Sequence, residues 1–189
     1  MIPSPGECYA LMSQYEMLAN IKAHSLMVAR IAEFLGRDLI KSGLGLNLDL
    51  VVSGALLHDI GKTACLHNGR NHALLGAEIC DSCGYGEVAP LVAQHVILAD
   101  DLPDKPDARQ VVYYADKRVN HAEVVSLEAR LAYIIGRYGL NDSRRCAAIR
   151  RNFTRCYNIE KTIFSYLEYT PEDLAGLLPK QSDFERTAA

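Results

Sequence analysis

Five ionisable residues fall on the apolar faces of five separate predicted helices. Each lies three or four positions from aliphatic residues, so it shares a helix face with them. The five residues are His24, His58, His72, His95 and Asp116. An ionised side chain in an apolar core is costly unless it is paired or bound to a metal. A single such histidine is more often a hydrogen-bonded core residue, but helices that share one core direct these residues toward one place. Imidazoles and carboxylates together are ligands for a divalent metal, so the pattern predicts a metal site.

The segment from Leu56 to Lys62, LLHDIGK, is the most specific string in the chain. His58 and Asp59 are adjacent, and adjacent residues of a regular helix point about 100° apart. At a helix end the two side chains can still flank one ion, and Gly61 is the residue type that ends helices. An ordinary helix end with a surface lysine does not account for the other ionisable residues on apolar faces. We therefore expect His58 and Asp59 to contribute to the same site.

Helical periodicity runs along almost the whole chain, with Gly and Pro between the helices and no long strand-like alternation. The pattern predicts an all-α fold, a single-domain bundle of about eight or nine helices over residues 1–189. The predicted helices cover residues 7–19, a segment from 21 that ends before Gly43, 48–60, a segment from 71, a segment through 88–95, a segment from 107, 126–138, 143–169 and a short one after Pro171. The C-terminal helices over residues 143–178 carry no motif, and residues 180–189 are expected to form a flexible tail.

Composition and charge narrow the class of protein. Of the 189 residues, 49% are hydrophobic and 23% are charged, as in globular domains, and the formal net charge is −3. This negative balance argues against a general nucleic-acid or membrane-surface binder. No apolar run is long enough to span a membrane and the N-terminus shows no export signal, so a cytoplasmic protein without a membrane partner is expected.

The six cysteines suit a reduced protein better than a disulfide framework, because a chain of this length buries enough core to fold without cross-links. Cys80 and Cys83 form a lone CxxC with no second pair. As a zinc or redox site this spacing is a weak signal, and we interpret both residues as plain thiols on a helix.

Residues 137–161 form a strongly basic stretch in an otherwise acidic chain. They contain seven lysines and arginines against two acids. One interpretation is a solvated face beside the apolar stripe of a long helix. The other interpretation is a patch that guides an anionic substrate or partner. The sequence favours the first and leaves the second open.

The ionisable residues also match a known signature. They read H…HD…D along the chain, which resembles the signature of the HD superfamily of metal-dependent phosphohydrolases. The residues that carry it are His24, His58, Asp59 and Asp116. Residues 58–61 resemble the HDIG variant, residues 72–77 resemble the H-x-x-x-G-A segment that often follows it, and residues 114–117 resemble an A-D-K segment. The resemblance covers residues 20–136 and implies an HD-type metal-binding core.

The resemblance implies ligands for one or two divalent ions, with iron, manganese, cobalt and zinc all compatible. One ion would be held by the four signature residues. Family members with a second ion use two further histidines, here matched by His72 and His95, and the HD aspartate, here Asp59, bridges both ions. His67 is an alternative to His72 as the ligand. His72 is favoured because the G-A pair of the family segment follows it in the sequence. His121 is interpreted as a surface residue near a helix end.

The resemblance further implies a phosphohydrolase that uses metal-activated water on a small phosphate ester or anhydride. Asp59 and Lys62 are the expected catalytic residues, and the candidate substrate-binding residues are Lys62, Arg70, Lys117 and Arg118. A nucleotide or dinucleoside polyphosphate is the expected substrate class, although the chain carries no separate nucleotide fingerprint. Long nucleic acids are not expected as partners, and the amphipathic terminal helices are compatible with a homodimer.

Two other functions are consistent with the sequence. The ligand set is also similar to that of HD-type di-iron oxygenases, which cleave C–C or C–P bonds with O₂. A third hypothesis is a non-catalytic nucleotide-sensing module on a degenerate HD core. Degeneracy normally removes ligands and none is missing here, so the complete set favours the hydrolase.

Overall fold

The computed structural model of the chain describes residues 1–188, with side chains as far as residue 186. This part contains seven helices of ten or more residues, four shorter ones and one two-stranded hairpin. Their bounds are α1 Pro5–Gln14, α2 Ala19–Lys41, α3 Leu48–Leu57, α4 Lys62–Cys65, α5 His72–Ser82, α6 Ala89–Gln94, α7 Ala108–Lys117, β1 Val119–Asn120, β2 Glu123–Val124, α8 Leu127–Tyr138, α9 Ser143–Phe164, α10 Leu174–Leu177 and α11 Asp183–Ala188. The all-α prediction is confirmed. In the described residues, no helix combines the length and apolar character needed to cross a membrane.

Most of the longer helices begin at a side chain that accepts hydrogen bonds from the free N–H groups of the first turn. Capping boxes open α1 and α7, where Ser4 pairs with Glu7 and Asp107 pairs with Gln110. Single side-chain caps open α3, α5, α8 and α9, and they are Asn47, Asn71, Ser126 and Asp142. Local sequence therefore determines where each of these helices begins.

The core lies around α2, the longest helix, which packs against both α3 and α7. Its buried stripe includes Val28, Ile31, Leu35 and Leu39. These positions recur every three or four residues, so one face of α2 points inward. The neighbouring helix α3 is buried throughout residues 51–57. Because the three helices share one core, His24 on α2, the end of α3 and Asp116 on α7 meet in one region.

Two glycines allow the segment around α4 to lie directly against α5. A Cβ atom at Gly61 would lie 2.5 Å from the carbonyl oxygen of His72 and 2.8 Å from the backbone nitrogen of Gly76. A Cβ atom at Gly76 would lie 2.8 Å from a methyl group of Val92 on α6. The sequence predicts Gly61 as a helix end, but α3 already ends at Leu57 and Gly61 has an ordinary φ of −81°. Its role is therefore close packing of two backbones.

Several element boundaries differ from the sequence prediction. The helix expected over residues 48–60 ends at Leu57, and the one expected over residues 143–169 ends at Phe164. The strands β1 and β2 form an antiparallel hairpin in which Val119 pairs with Val124. Each strand has only two residues, too few for an alternating pattern to be visible in the sequence.

The flexible tail predicted over residues 180–189 is corrected by the structure as far as residue 188. Phe184 of α11 is buried in the core, and α11 packs against α1. The backbone N–H of Asp183 donates to the carboxylate of Glu33 at 3.1 Å, and the Asp183 carboxylate lies 2.9 Å from Arg37. These partners lie about 150 residues earlier in the chain, so a local sequence pattern could not reveal them.

Candidate metal centre

His24 and Asp116 form a buried pair between α2 and α7. The Nε2 atom of His24 lies 3.0 Å from Oδ1 of Asp116. The Nδ1–H of His24 donates to the carbonyl oxygen of His121, 3.0 Å away in the turn between β1 and β2. His121 adopts a left-handed backbone conformation with a φ of 55°. The hairpin turn therefore orients His24, so the backbone of His121 contributes to the site although its side chain is exposed, as the sequence predicts.

His58 and Asp59 follow α3 in a turn closed by hydrogen bonds between residues three apart. The Nδ1–H of His58 donates to the carbonyl oxygen of Ala55 at 2.7 Å, which leaves Nε2 as an acceptor. That Nε2 lies 3.5 Å from Oδ2 of Asp59 and 3.7 Å from Oδ1 of Asp116. Both His58 and Asp59 are completely buried. The turn thus allows two adjacent side chains to face one site.

His72, the first residue of α5, and His95, just after α6, approach the other oxygen of Asp59. Oδ1 of Asp59 lies 3.3 Å from Nε2 of His72 and 3.5 Å from Nε2 of His95. The two Nε2 atoms are 3.2 Å apart. The Nδ1–H of His95 donates to the carbonyl oxygen of Val92 at 2.7 Å, so its Nε2 is also an acceptor.

These side chains form two groups of ligand atoms that share Asp59. Within each group the ligand atoms lie within 4.8 Å of one another, a spacing that could hold a metal ion. The groups are His24, His58 and Asp59, and Asp59, His72 and His95. Asp116 lies beside the first group through its contact with His24. All six predicted ligands are therefore close together, and the exposed His67, in the turn after α4, belongs to neither group.

The hydrogen-bond pattern fits the binding of divalent ions at both groups. Three of the imidazoles, those of His24, His58 and His95, donate Nδ1–H to backbone carbonyls and so turn the Nε2 lone pair inward. In the described residues, the buried Nε2 of His58 and Oδ1 of Asp59 have no hydrogen-bond partner. Such buried acceptors are costly unless a cation or donor satisfies them. One or two divalent ions would satisfy this set.

Electrostatics at the site keep the carboxylates ionised and one histidine neutral. Burial alone raises the pKa of Asp59, but the neighbouring imidazoles, first that of His58 and then those of His72 and His95, outweigh it and hold that pKa well below its usual range. Burial likewise opposes ionisation of Asp116, and the nearby Lys117 ammonium holds its pKa well below the usual range. Burial lowers the pKa of His95 to about 4, so its imidazole is neutral at pH 7 and available as a ligand.

A cavity of about 580 Å³ is lined by all three residues of the second ligand group and by Asp116. The ligand residues in its wall are Asp59, His72, His95 and Asp116. Its basic residues are Lys62, Arg70, Lys117, Arg130 and Arg137. Its larger apolar residues are Leu66, Val96, Ile97, Ile134, Ile149 and Phe153. The cavity therefore places a cationic and partly apolar surface next to the candidate metal site.

Three of the four predicted substrate-binding residues line this cavity, and they are Lys62, Arg70 and Lys117. The ammonium of Lys62 lies 2.6 Å from Oδ2 of Asp59, and about one third of its side chain is exposed. Arg70 is exposed and lies 3.7 Å from the carboxylate of Glu78. Lys62 thus connects a shared ligand with the open space where a substrate would bind.

Lys117 borders the same cavity, but its ammonium has partners within the protein. It donates to the carbonyl oxygen of His95 at 2.6 Å and to Oδ2 of Asp116 at 2.8 Å, and it lies 4.3 Å from the ring centroid of Tyr113. Two hydrogen bonds and the contact with the aromatic ring therefore hold the ammonium within the protein. The structure therefore favours a positioning role for Lys117 over the predicted contact with substrate.

Arg118 does not reach the cavity, which corrects its prediction as a substrate ligand. Its buried guanidinium donates to the carbonyl oxygens of Val125 at 2.7 Å and Pro171 at 2.9 Å, and to the hydroxyl of Tyr114. Residues 117 and 118 are adjacent near the end of α7 and point in different directions. Arg118 instead ties the hairpin and the segment after α9 to α7.

Two cavity arginines were not singled out as site residues from the sequence. Arg130 on α8 lies 3.9 Å from Oδ1 of Asp116 and donates to Oδ1 of Asn120 at 3.1 Å. Arg137 is exposed and lines the cavity. The basic excess over residues 137–161 was the available signal for Arg137, but the other six basic residues of that stretch do not line the cavity. No local motif marks Arg130.

The lone CxxC contributes to neither ligand group in the described residues. All six cysteines are free thiols. Cys80 is completely buried, and burial raises its pKa to about 12, so the thiol is protonated at neutral pH. These observations agree with the interpretation of Cys80 and Cys83 as plain thiols.

Comparison with known proteins identifies the family of this chain. The family model described as HD domain matches residues 21–135, so the chain belongs to the HD domain family. An uncharacterized protein of Clostridium beijerinckii is 32% identical over 102 residues, covering 52% of this chain and 62% of the relative. An uncharacterized protein of Methanocaldococcus jannaschii is 35% identical over 78 residues, covering 41% of this chain and 45% of the relative.

Similarity also extends to a named enzyme. Ribonuclease Y of Treponema denticola is 43% identical over 60 residues, covering 32% of this chain and 11% of the relative. The chain spans less than two thirds of the length of each of these relatives. No solved structure is significantly similar to the chain. The family resemblance predicted from the H…HD…D signature is confirmed.

Proposed function

We propose that this chain is a metal-dependent phosphohydrolase that acts on a small phosphate ester or anhydride, with a nucleotide or dinucleoside polyphosphate as the substrate class. The observation that carries the proposal is the pair of ligand groups sharing Asp59, with ligand residues lining a basic cavity. Membership of the HD domain family supports the same chemistry.

Charge in the cavity favours an anionic substrate. Five basic side chains line it against the two carboxylates of Asp59 and Asp116, whereas the whole chain has a formal net charge of −3. Bound divalent ions would make the cavity still more positive. A cleft of one sign in a protein of the opposite sign attracts ligands of complementary charge. Phosphate esters and anhydrides fit this requirement.

The residues of the chain would divide the work in a simple way. Divalent ions held by the two ligand groups would supply a water of near-neutral pKa and would polarise phosphoryl oxygens. Lys62 holds Asp59 in place and presents its remaining N–H groups to the cavity, where they can donate to a phosphate oxygen. Arg137 presents an exposed guanidinium at the same cavity. Lys117 keeps His95 and Asp116 in their positions.

The names of some relatives raise the question of an RNA substrate. Ribonuclease Y matches this chain over 11–17% of its own length in the pairs compared, so the likeness covers only a small part of that enzyme. The acidic balance of the present chain favours a small substrate over a long polyanion. An RNA oligonucleotide therefore belongs in the test panel beside small phosphates.

The test combines metal analysis with phosphate release. Protein purified without added metal is analysed for bound ions and assayed, with and without O₂, on nucleotides, dinucleoside polyphosphates and an RNA oligonucleotide. We expect phosphate release from small substrates that does not need O₂. Obligatory O₂ consumption would favour the oxygenase, and metal-loaded protein that cleaves no phosphate compound would contradict the proposal.

A matched pair of histidine variants makes this test specific. His58→Ala removes a buried ligand, and we expect loss of bound metal and at least about a hundredfold lower activity. His67→Ala removes an exposed histidine outside both ligand groups and serves as the control. Equal activity and metal content in the two variants would show that the site described above does not perform the reaction.

A further inference from the structure

An apolar surface forms part of the same cavity, and much of it comes from outside the segment that matches the HD family model. The family model ends at residue 135, whereas Tyr138 on α8 and Ile149 and Phe153 on α9 line the cavity. Ile134 on α8 and Ile97 after α6 line it as well. The four residues Ile97, Ile134, Tyr138 and Ile149 are called the apolar wall below.

This surface is exposed to an unusual degree for apolar side chains. In the described residues ten large hydrophobic side chains are exposed, and four of them line this one cavity: Leu66, Val96, Ile97 and Tyr138. Ile97 is 67% exposed and Tyr138 is 52% exposed. Scattered exposed apolar residues need no explanation, but a cluster of them in a concave site is typical of a ligand-binding surface.

The apolar wall has few polar groups that could form hydrogen bonds with a ligand. Asn152, the amide side chain in the cavity lining, accepts a hydrogen bond from the hydroxyl of Tyr113 at 2.8 Å through Oδ1. Its Nδ2 donates to the carbonyl oxygen of Val96 at 2.9 Å. Two of its four hydrogen-bonding positions are therefore used within the protein. A ligand group at this wall would be recognised by shape and apolar contact more than by its polar edges.

The cavity is also larger than the charged chemistry requires. Its volume of about 580 Å³ lies within the range of pockets that hold a whole organic ligand, roughly 300–1,000 Å³. A phosphate group beside the ligand residues would leave most of this space empty. The remaining space is bordered by the apolar wall.

We propose that the substrate of this site carries a flat aromatic ring, which packs its face on the apolar wall while its phosphate faces the shared Asp59. The proposal rests on the proposed hydrolase function and narrows its substrate class. It assigns specificity to the apolar wall, chiefly Ile134 and Ile149, rather than to a residue of the H…HD…D signature. Phosphates of flat rings are therefore preferred to phosphates of small polar alcohols, with little discrimination among rings by their polar edges.

Binding of two phosphonates tests the apolar wall without any reaction. Phenylphosphonate and methylphosphonate present the same charged group and differ in the ring. Their dissociation constants for the metal-loaded protein are measured by calorimetry under nitrogen. We expect phenylphosphonate to bind at least about tenfold more tightly, because a packed ring removes apolar surface from water. Equal affinities would overturn the proposal.

Two neighbouring isoleucines on α8 provide a matched pair of variants. Ile134 and Ile135 are both half-buried, but only Ile134 lines the cavity. Ile134→Ser should remove most of the preference for phenylphosphonate, and Ile135→Ser should leave that preference unchanged. Ile149→Ser on α9 is the second wall variant in case Ile134→Ser does not fold, which thermal unfolding of each variant determines. A preference that survives in every folded wall variant would overturn the assignment.

Hydrolysis separates this proposal from the proposed function. The kcat/KM values for phenyl phosphate and glycerol 3-phosphate are compared between wild type and Ile134→Ser, so that the different intrinsic reactivities of the two esters cancel. If both esters are cleaved and their ratio does not change, the wall fails as a specificity element and the hydrolase stands. If neither ester nor any compound of the nucleotide and RNA panel is cleaved but phenylphosphonate still binds preferentially, the hydrolase fails and the apolar wall stands.

Discussion

Replacing Gly61 with alanine adds one methyl group at the closest backbone approach near the metal site. The new Cβ would lie 2.5 Å from the carbonyl oxygen of His72 and 2.8 Å from the backbone nitrogen of Gly76. Both neighbours are backbone atoms, which cannot rotate aside as a flexible side chain can. Since ordinary contacts begin near 3.4 Å, α5 would have to move away by roughly 0.5–1 Å.

This displacement should weaken both the fold and one ligand group. Overpacking of a close contact costs about 1–3 kcal/mol, equivalent in a chain of this size to a fall in Tm of roughly 3–10 °C. His72 is the first residue of α5, and its Nε2 lies 3.3 Å from Oδ1 of Asp59. A shift of α5 therefore separates these two atoms. We expect an ion at this group to bind at least about tenfold more weakly, while the group containing His24 and His58 is little affected.

Thermal unfolding and metal titration of the variant measure the two effects separately. Gly136→Ala is the control, because a Cβ there has no atom within 4 Å and the residue lies inside α8. Alanine is a better helix former than glycine, so this variant should gain up to about 1 kcal/mol of stability. A Gly61→Ala protein with wild-type Tm and unchanged metal binding would refute the argument that this backbone contact positions His72.

Arg137→Gln should raise KM for a phosphate substrate roughly two- to fivefold, and this increase should become smaller as salt is added. Arg151→Gln should leave KM unchanged, because of these two arginines only Arg137 lines the cavity. Equal effects would favour a general basic face over a cavity contact. Chelation of the metal-loaded protein should lower the free energy of unfolding by about 2.7 kcal/mol for an ion present at a hundred times its Kd, and an unchanged Tm after metal removal would contradict a folded-state metal site. Burial raises the pKa of Glu160 in the folded protein. At pH values above the unfolded pKa of about 4.3, Glu160 is therefore protonated to a greater extent in the folded protein than in the unfolded chain. Wild type should consequently gain stability relative to Glu160→Gln as the pH falls from 7 to 5, and a pH-independent difference in urea unfolding would contradict the shift.

The site was largely predictable because its signals are local. The position of His24 relative to its aliphatic neighbours places it on the inner face of α2, and the same reasoning applies to Asp116 on α7. His58 and Asp59 were recognisable as a pair because they lie together at the end of one helix. A periodic apolar stripe predicts which side of a helix is buried, but it does not predict which other helix lies opposite.

The lysine and arginine side chains near the site could not be placed from local sequence patterns. Lys117 and Arg118 are adjacent and chemically similar, yet one borders the cavity and the other is tied to Val125 and Pro171. Arg130, without any motif, lies 3.9 Å from the carboxylate of Asp116. The direction of a long side chain depends on the partners it finds after the helices have packed, and those partners are remote in sequence.

The sequence by itself determined the helical class and the identities of the six residues that make up the two ligand groups and Asp116. Periodicity, capping residues and motif spacing are properties of short segments, and they act before distant parts of the chain meet. The family resemblance already implied that Asp59 is shared between two groups. Only the tertiary structure decided that His121 orients His24 through its carbonyl and that α8 and α9 add an apolar wall. Each of these features depends on contacts between elements far apart in the chain, so the packing of the helices, and not any local pattern, creates them.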